Sequence, residues 1–238
     1  MYSRFIIALI LFMPLLAISQ IYNAGDTIYV WNIDGSPIYS EPNSNSGQIS
    51  TLKHGTKAVV IEQKLKSQPF MIEVKNGFFI KGYWVKVSTN STLGYVFDSD
   101  FSTINSNIKN ENDRWSTLLQ RFFGKRTDFK KIHRIAKYGD SDYEITDQVS
   151  TYENGTYTYT PFDGCFDHTY KFNNRSFNEV YHLMMNIYSV SMSLYGGRPI
   201  YQNTKEQTFI FSGTEATGEI HIKILKDGSI ELFSYDCT

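Results

Sequence analysis

The side chains able to do chemistry in this chain are few: two cysteines, five histidines and some short carboxylate-bearing turns. Two thiols serve either as a nucleophile beside a base or as a disulfide. In an exported chain the second use is the simpler one, because that compartment is oxidising. A Cys165 to Cys237 bridge would close a loop of about 70 residues and contribute on the order of 4 kcal/mol. Asp163, Asp167 and His168 are metal-ligand types in a loop and strand, but they lack a recognised ligand spacing, so no metal is expected. Asp98-Ser99-Asp100 and Asp140-Ser141-Asp142 read as solvated turns. No phosphate loop, zinc helix or Gly-x-Ser-x-Gly elbow is present, so neither a catalytic residue nor a cofactor is expected. The sequons at Asn90, Asn154 and Asn174 fit chance in a chain rich in Asn, Ser and Thr. What remains is aromatic surface. Tyr29, Trp31, Tyr39, Trp84, Tyr95 and Phe97 offer flat area with a polar tip, which suits peptides or sugars as ligands, although at least half must face a core.

The elements that would position these residues begin after a leader. Met1 to Arg4 carries one positive charge, Phe5 to Ala17 is almost purely apolar, and Ala17-Ile18-Ser19 places small residues where a signal peptidase reads. Residues 1–19 are therefore expected to be a signal peptide, cleaved before Gln20, and the product to be periplasmic or secreted. The apolar run is short for a membrane span, and no second long apolar stretch follows. The chain of 238 residues has 41% apolar and 20% charged residues and a formal charge of -1. That is an ordinary globular composition, long enough for two domains and without the basic surplus that nucleic acid would call for.

One stretch, Gly35 to Thr103, has a distinctive order of segments. Ile38-Tyr39-Ser40-Glu41-Pro42 is followed by Ile49-Ser50-Thr51-Leu52-Lys53-His54-Gly55-Thr56-Lys57 and the apolar run Ala58-Val59-Val60-Ile61. Lys81-Gly82-Tyr83-Trp84-Val85-Lys86-Val87 then leads through a polar turn into Leu93-Gly94-Tyr95-Val96-Phe97. These segments resemble the bacterial SH3 (SH3b) family, with its Ser-Gly-Pro turn, Gly-Thr-Leu-x-x-Gly-Thr strand and turn, Gly-Trp-x-Lys-Val strand and terminal Gly-Trp-Val strand. The resemblance implies a small SH3-like β-barrel over residues 21–103. Gln63 to Gly82 would then be an inserted loop or hairpin with a turn at Asn76-Gly77.

Residues 104–112 are poor in apolar side chains and rich in Asn, and read as a linker. Beyond it, residues 113–238 suggest a second domain. Trp115, Leu118, Leu119 and Phe122 fall at helical spacing before Gly124. Asn154-Gly155 marks a hairpin, and Phe166, His168, Tyr170 and Phe172 alternate with polar residues along a strand. The clearest helix runs from Phe177 to Tyr195, with Ser176 and Glu179 as a capping box and Val180, Leu183, Met184, Ile187 and Leu194 as an apolar stripe. Thr208 to Ser212 and a hairpin around Asp227-Gly228 complete the set. The expected class is mainly β with α+β, a small barrel followed by an antiparallel sheet that carries one long helix.

The resemblance also implies a partner in the envelope, peptidoglycan or an envelope protein, and a role in binding. SH3b modules often precede NlpC-type cell-wall peptidases, which makes Cys165 and His221 the alternative nucleophile and base. Those enzymes place the cysteine in an Asp-Cys-Ser-Gly run at a helix N-terminus, whereas Asp163-Gly164-Cys165-Phe166-Asp167 leads into a strand. An envelope-located inhibitor or immunity protein is a third reading, since it too needs no catalytic group.

Overall fold

The computed structural model describes residues 22–63, 69–75, 77–107, 114–190, 197–213 and 216–237. The expected signal peptide, Asn76 of the inserted turn, most of the expected linker, and residues 191–195 of the expected long helix, Leu194 among them, lie outside them. The class is mainly β, with two α-helices among the described residues. No helix among those residues is long and apolar enough to cross a membrane.

The N-terminal half contributes β1 (Thr27–Val30), β2 (Ser36–Tyr39), β3 (Gln48–Leu52), β4 (Lys57–Gln63), β7 (Trp84–Ser88), β8 (Leu93–Phe97) and β9 (Phe101–Ser102). They form one antiparallel sheet in the order β3-β2-β8-β7-β4-β1-β9. Alternation of apolar and polar residues along these strands gives the sheet one buried face, where Ile28, Val30, Ile38, Val60, Val85, Val87 and Val96 pack against each other and Phe101. The insertion forms its own hairpin, β5 (Phe70–Lys75) with β6 (Phe78–Gly82).

The continuous segment Lys81 to Val87 expected from sequence is broken at Tyr83. There the side chain of Asp98 accepts the Tyr83 amide hydrogen at 2.7 Å, while the Asp98 amide donates to the Tyr83 carbonyl at 2.9 Å. Gly82 makes room for this, since a Cβ on it would stand 2.3 Å from Asp98 Oδ1. The hairpin is thereby turned out of the first sheet.

The C-terminal half is an eight-stranded antiparallel sheet. It contains β10 (Arg126–Tyr138), β11 (Ser141–Tyr152), β12 (Gly155–Phe162), β13 (Cys165–Phe172), β14 (Ile200–Lys205), β15 (Thr208–Ser212), β16 (Thr217–Ile224) and β17 (Ile230–Cys237), in the order β10-β11-β12-β13-β17-β16-β15-β14. The turn at Glu153-Asn154 leads into Gly155, whose φ of +151° and 1.9 Å approach of a would-be Cβ to the Lys171 carbonyl leave space for glycine alone. From Ile132 of β10 onward, and up to Asp147 of β11, these two strands pair with each other and not with β12, which makes a two-stranded arm with Ile132, Ile135 and Tyr143 exposed on it.

Two helices join the sheets. In α1 (Arg114–Phe123) the apolar face holds Leu118, Leu119, Phe122 and Phe123, and Gly124 closes the helix by donating its amide hydrogen to the Gln120 carbonyl. In α2 (Phe177–Val190) the capping box forms as its sequence predicts: the Ser176 amide donates to Glu179 Oε2 at 3.0 Å, and the Glu179 amide donates back to Ser176 Oγ at 3.3 Å. α2 does more than lie on one sheet. Its Val180, Leu183, Met184 and Ile187 belong to a core that also takes in Trp31, Phe78, Ile80 and Phe97 of the N-terminal half. Its polar residues grip the same half, Asn178 donating to the Lys81 carbonyl at 2.8 Å and Asn186 to the Trp31 carbonyl at 2.9 Å.

The start of the expected linker is pinned as well. Trp31 Nε1 donates to the Ile104 carbonyl at 2.7 Å, Ser106 Oγ to the Val30 carbonyl at 2.9 Å, and Asn107 Nδ2 to the Gly55 carbonyl at 2.8 Å.

Candidate functional site

The two sheets, the β5–β6 hairpin and α2 leave a cavity of about 660 Å³ between them. Its walls are the turn Asn32-Ile33-Asp34, Pro37 and Tyr39 of β2, Phe70–Lys75, Phe78 and Ile80 of the hairpin, Phe97, and Ser99-Asp100. Tyr181, His182 and Met185 of α2, the run from Arg198 to Tyr201, and Phe211 close it from the other side. Aromatic rings dominate: Phe78 stacks on Tyr201 at 5.1 Å and meets Tyr181 at the same distance, and Phe70 packs on Trp84 at 5.8 Å and Phe97 at 6.0 Å. The hairpin wall alternates, with Phe70 and Ile72 half-buried and Met71 exposed. At the rim, Arg198 Nη1 donates to both carboxylate oxygens of Asp34, at 2.9 and 2.7 Å.

The polar residues of the cavity are ones the sequence reading passed over. Asp98-Ser99-Asp100, expected to be a solvated turn, is a buried 3-10 helix, because the flanking Phe97 and Phe101 are drawn into cores and carry the turn with them. Asp100 accepts from Asn32 Nδ2 at 3.0 Å and from Ser36 Oγ at 2.8 Å, and burial nevertheless pushes its carboxyl up to about 6. His182 Nε2 stands 3.8 Å from Asp100 Oδ1 and has no hydrogen-bond partner. Burial pushes that imidazole down to about 3, against the opposing influence of a hydrogen bond with the Ser99 backbone and with help from nearby His54. Asp100 is therefore ionised only where His182 is neutral, and the two do not form an ion pair. Tyr181 beside them is also held neutral, its phenol raised to about 12 by burial and then by Asp100.

The two groups act oppositely on stability. Asp100 keeps a proton in the fold that the unfolded chain releases, so its contribution is fully present below pH 3.8 and is lost as pH rises through about 6. His182 contributes stability above pH 6.5 that is lost as pH falls through about 3. Between about pH 4 and 6 the slopes offset each other. Asp100→Asn should remove one of them, so that urea unfolding shows a loss of stability from pH 6 to pH 4 larger than that of the wild type by up to about 3 kcal/mol. Equal losses in the two proteins would mean that Asp100 titrates as an ordinary surface carboxylate.

Of the six aromatics picked out from sequence, Tyr39 and Phe97 line the cavity. Trp84 stands behind them, edge-on to Tyr39 at 5.6 Å and 6.3 Å from Phe97. The other three lie elsewhere. Trp31 is fully buried against Phe122 in the shared core, Tyr29 sits on β1 between β4 and β9, and Tyr95 is buried with Lys86 over its ring.

Cys165 and Cys237 are joined in a disulfide, directly opposite each other on β13 and β17. The thiol of the peptidase alternative is thus consumed. His221, on β16 opposite Phe233, is separated from Cys165 by the whole of β17 and by four positions along it, about 16 Å. Asp163 is in a turn, and His168 is tied to Tyr157 by a 2.8 Å bond through Nδ1 with Asp236 3.5 Å from its other nitrogen. No group of three or more metal-ligating side chains occurs among the described residues.

A sequence signal for the missed residues does exist. His182 and Asn186 are a polar i, i+4 pair in an otherwise apolar stretch of α2, and both prove to face the N-terminal half. No family model, no curated protein and no solved structure matches this chain, so the cavity and its residues are the ground for the functional reading.

Proposed function

We propose that this is an exported, non-catalytic binding protein of the bacterial envelope, with an SH3b-like N-terminal half, which takes its ligand into the cavity between the two sheets. One observation carries the reading: aromatic residues from both halves converge on a single concavity of about 660 Å³, a size and character suited to a bound molecule or an inserted segment. Export is supported by the disulfide, which an oxidising compartment maintains, together with the leader-like first residues. Between the two envelope partners the walls favour a protein or peptide segment over a bare glycan, because sugar hydroxyls need many polar groups and this lining is mostly aromatic and aliphatic. A second reading, an inhibitor that docks on an envelope enzyme, is favoured by the projecting β10–β11 arm with its exposed Ile132 and Ile135.

Ile200→Trp tests the cavity, because Ile200 lines it yet is 41% exposed, so a larger side chain can fill the mouth without disturbing either core. Wild-type protein should co-sediment with purified sacculi or crosslink to an envelope protein, and the variant should bind at least tenfold more weakly at an unchanged melting temperature. Undiminished binding by a folded Ile200→Trp protein would move the function to the outer surface, the arm first. Absence of binding to either partner by the wild type would remove the envelope reading.

A further inference from the structure

The polar end of the cavity has a specific chemical complement. Asp100 receives two hydrogen bonds from neutral groups, Asn32 and Ser36, and no cation. Its neighbour His182 is a neutral ring whose Nε2 is buried without a hydrogen-bond partner, so it adds no balancing charge. Asp100 is one of the residues lining the cavity, and 12% of its side chain is exposed. The same cavity is lined by Phe97, Phe78, Tyr181 and Tyr201, whose π-faces favour a cation over an anion. The charged residues on the lining are Asp34, Glu73 and Asp100 against Lys75 and Arg198, and Arg198 is already paired with Asp34. An anionic ligand would meet this site at a disadvantage. A neutral apolar one would leave the buried carboxylate without a counter-charge.

We propose that the cavity binds a protonated primary amine on an apolar stem, with Asp100 as its counter-charge. This rests on the reading of the cavity as the ligand site and adds the ligand's chemical class. The stem would lie along the aromatic walls while the ammonium reaches the acid. Such an amine belongs equally to a lysine-type side chain on a protein or peptide and to a small free molecule.

The experiment uses the mature protein and two probes of nearly one shape, 2-phenylethylamine and 2-phenylethanol, titrated calorimetrically at pH 7.5. The amine should bind at least tenfold more tightly than the alcohol. Asp100→Asn should abolish the preference, with circular dichroism showing that the variant is folded. An acetylated tripeptide amide Phe-Lys-Phe distinguishes the sources: binding tighter than that of the free amine assigns the site to a side chain presented by a polypeptide, and weaker binding assigns it to a small molecule. Equal affinity for amine and alcohol, a preference that survives in folded Asp100→Asn, or no binding of either probe overturns the amine assignment. Each of these can occur while Ile200→Trp still weakens envelope binding, so the assignment can fail with the binding function intact.

Discussion

Trp31→Ala should lower the stability of the protein by about 4 kcal/mol and leave the two halves melting together. Trp31 belongs by sequence to the first sheet, but its indole is fully buried in the core that α1 and α2 build, edge-on to Phe122 at 5.1 Å. Truncation would open a cavity there and orphan the Ile104 carbonyl that accepts from Nε1. Its main chain is also engaged, since the Trp31 carbonyl takes a hydrogen bond from Asn186 of α2. A core shared in this way couples the halves, so calorimetry should record one endotherm for the wild type and one, displaced to lower temperature, for the variant. Two separate endotherms, with only the earlier one displaced, would show that the halves are independent and that the interface contributes little.

Removal of the disulfide should have an effect of similar size. Cys165 and Cys237 are 72 positions apart in the chain, and opening that loop in the unfolded state costs on the order of 4 kcal/mol on the chain-entropy view. The bridge sits at the ends of β13 and β17, two central strands of the larger sheet, and Cys237 is further held by the hydrogen bond its amide donates to the Ala216 carbonyl. The double variant Cys165→Ser, Cys237→Ser should unfold at clearly lower denaturant concentration, and reduction of the wild type should reproduce the shift. Non-reducing peptide mapping should recover the Cys165 to Cys237 cross-link. Two free thiols in protein isolated from the envelope would reject the bridge.

Much of the local structure was legible in the residues. The Ser176 and Glu179 box, the stop at Gly124, the Asn154-Gly155 hairpin and the alternation along Cys165–Phe172 all formed where their sequences placed them, because each is decided by backbone geometry and side-chain period over a few residues. The mainly β class and the pairing of the only two cysteines followed from the same short-range information with simple counting. Strand β14 was not legible. Its Gln202, Asn203 and Thr204 are exposed on an edge, and only the pairing of Ile200–Lys205 with β15 makes it a strand.

The candidate site was the least legible part, since it is assembled from segments far apart in the chain. A sequence pattern states that α2 has an apolar stripe, but not that its other face meets a second sheet. That contact turns His182 from a solvated residue into a buried neutral ring, and Ser99-Asp100 from a turn into part of a cavity wall. It also sorts the aromatics, since burial of Trp31 and exposure of Tyr39 to the cavity depend on how the halves dock and not on residue type. The chain alone determined which strands, caps and turns would form, through interactions a few residues long. Only tertiary packing decided where carboxylate, imidazole and aromatic rings would meet, because desolvation and charge depend on neighbours that sequence distance does not reveal.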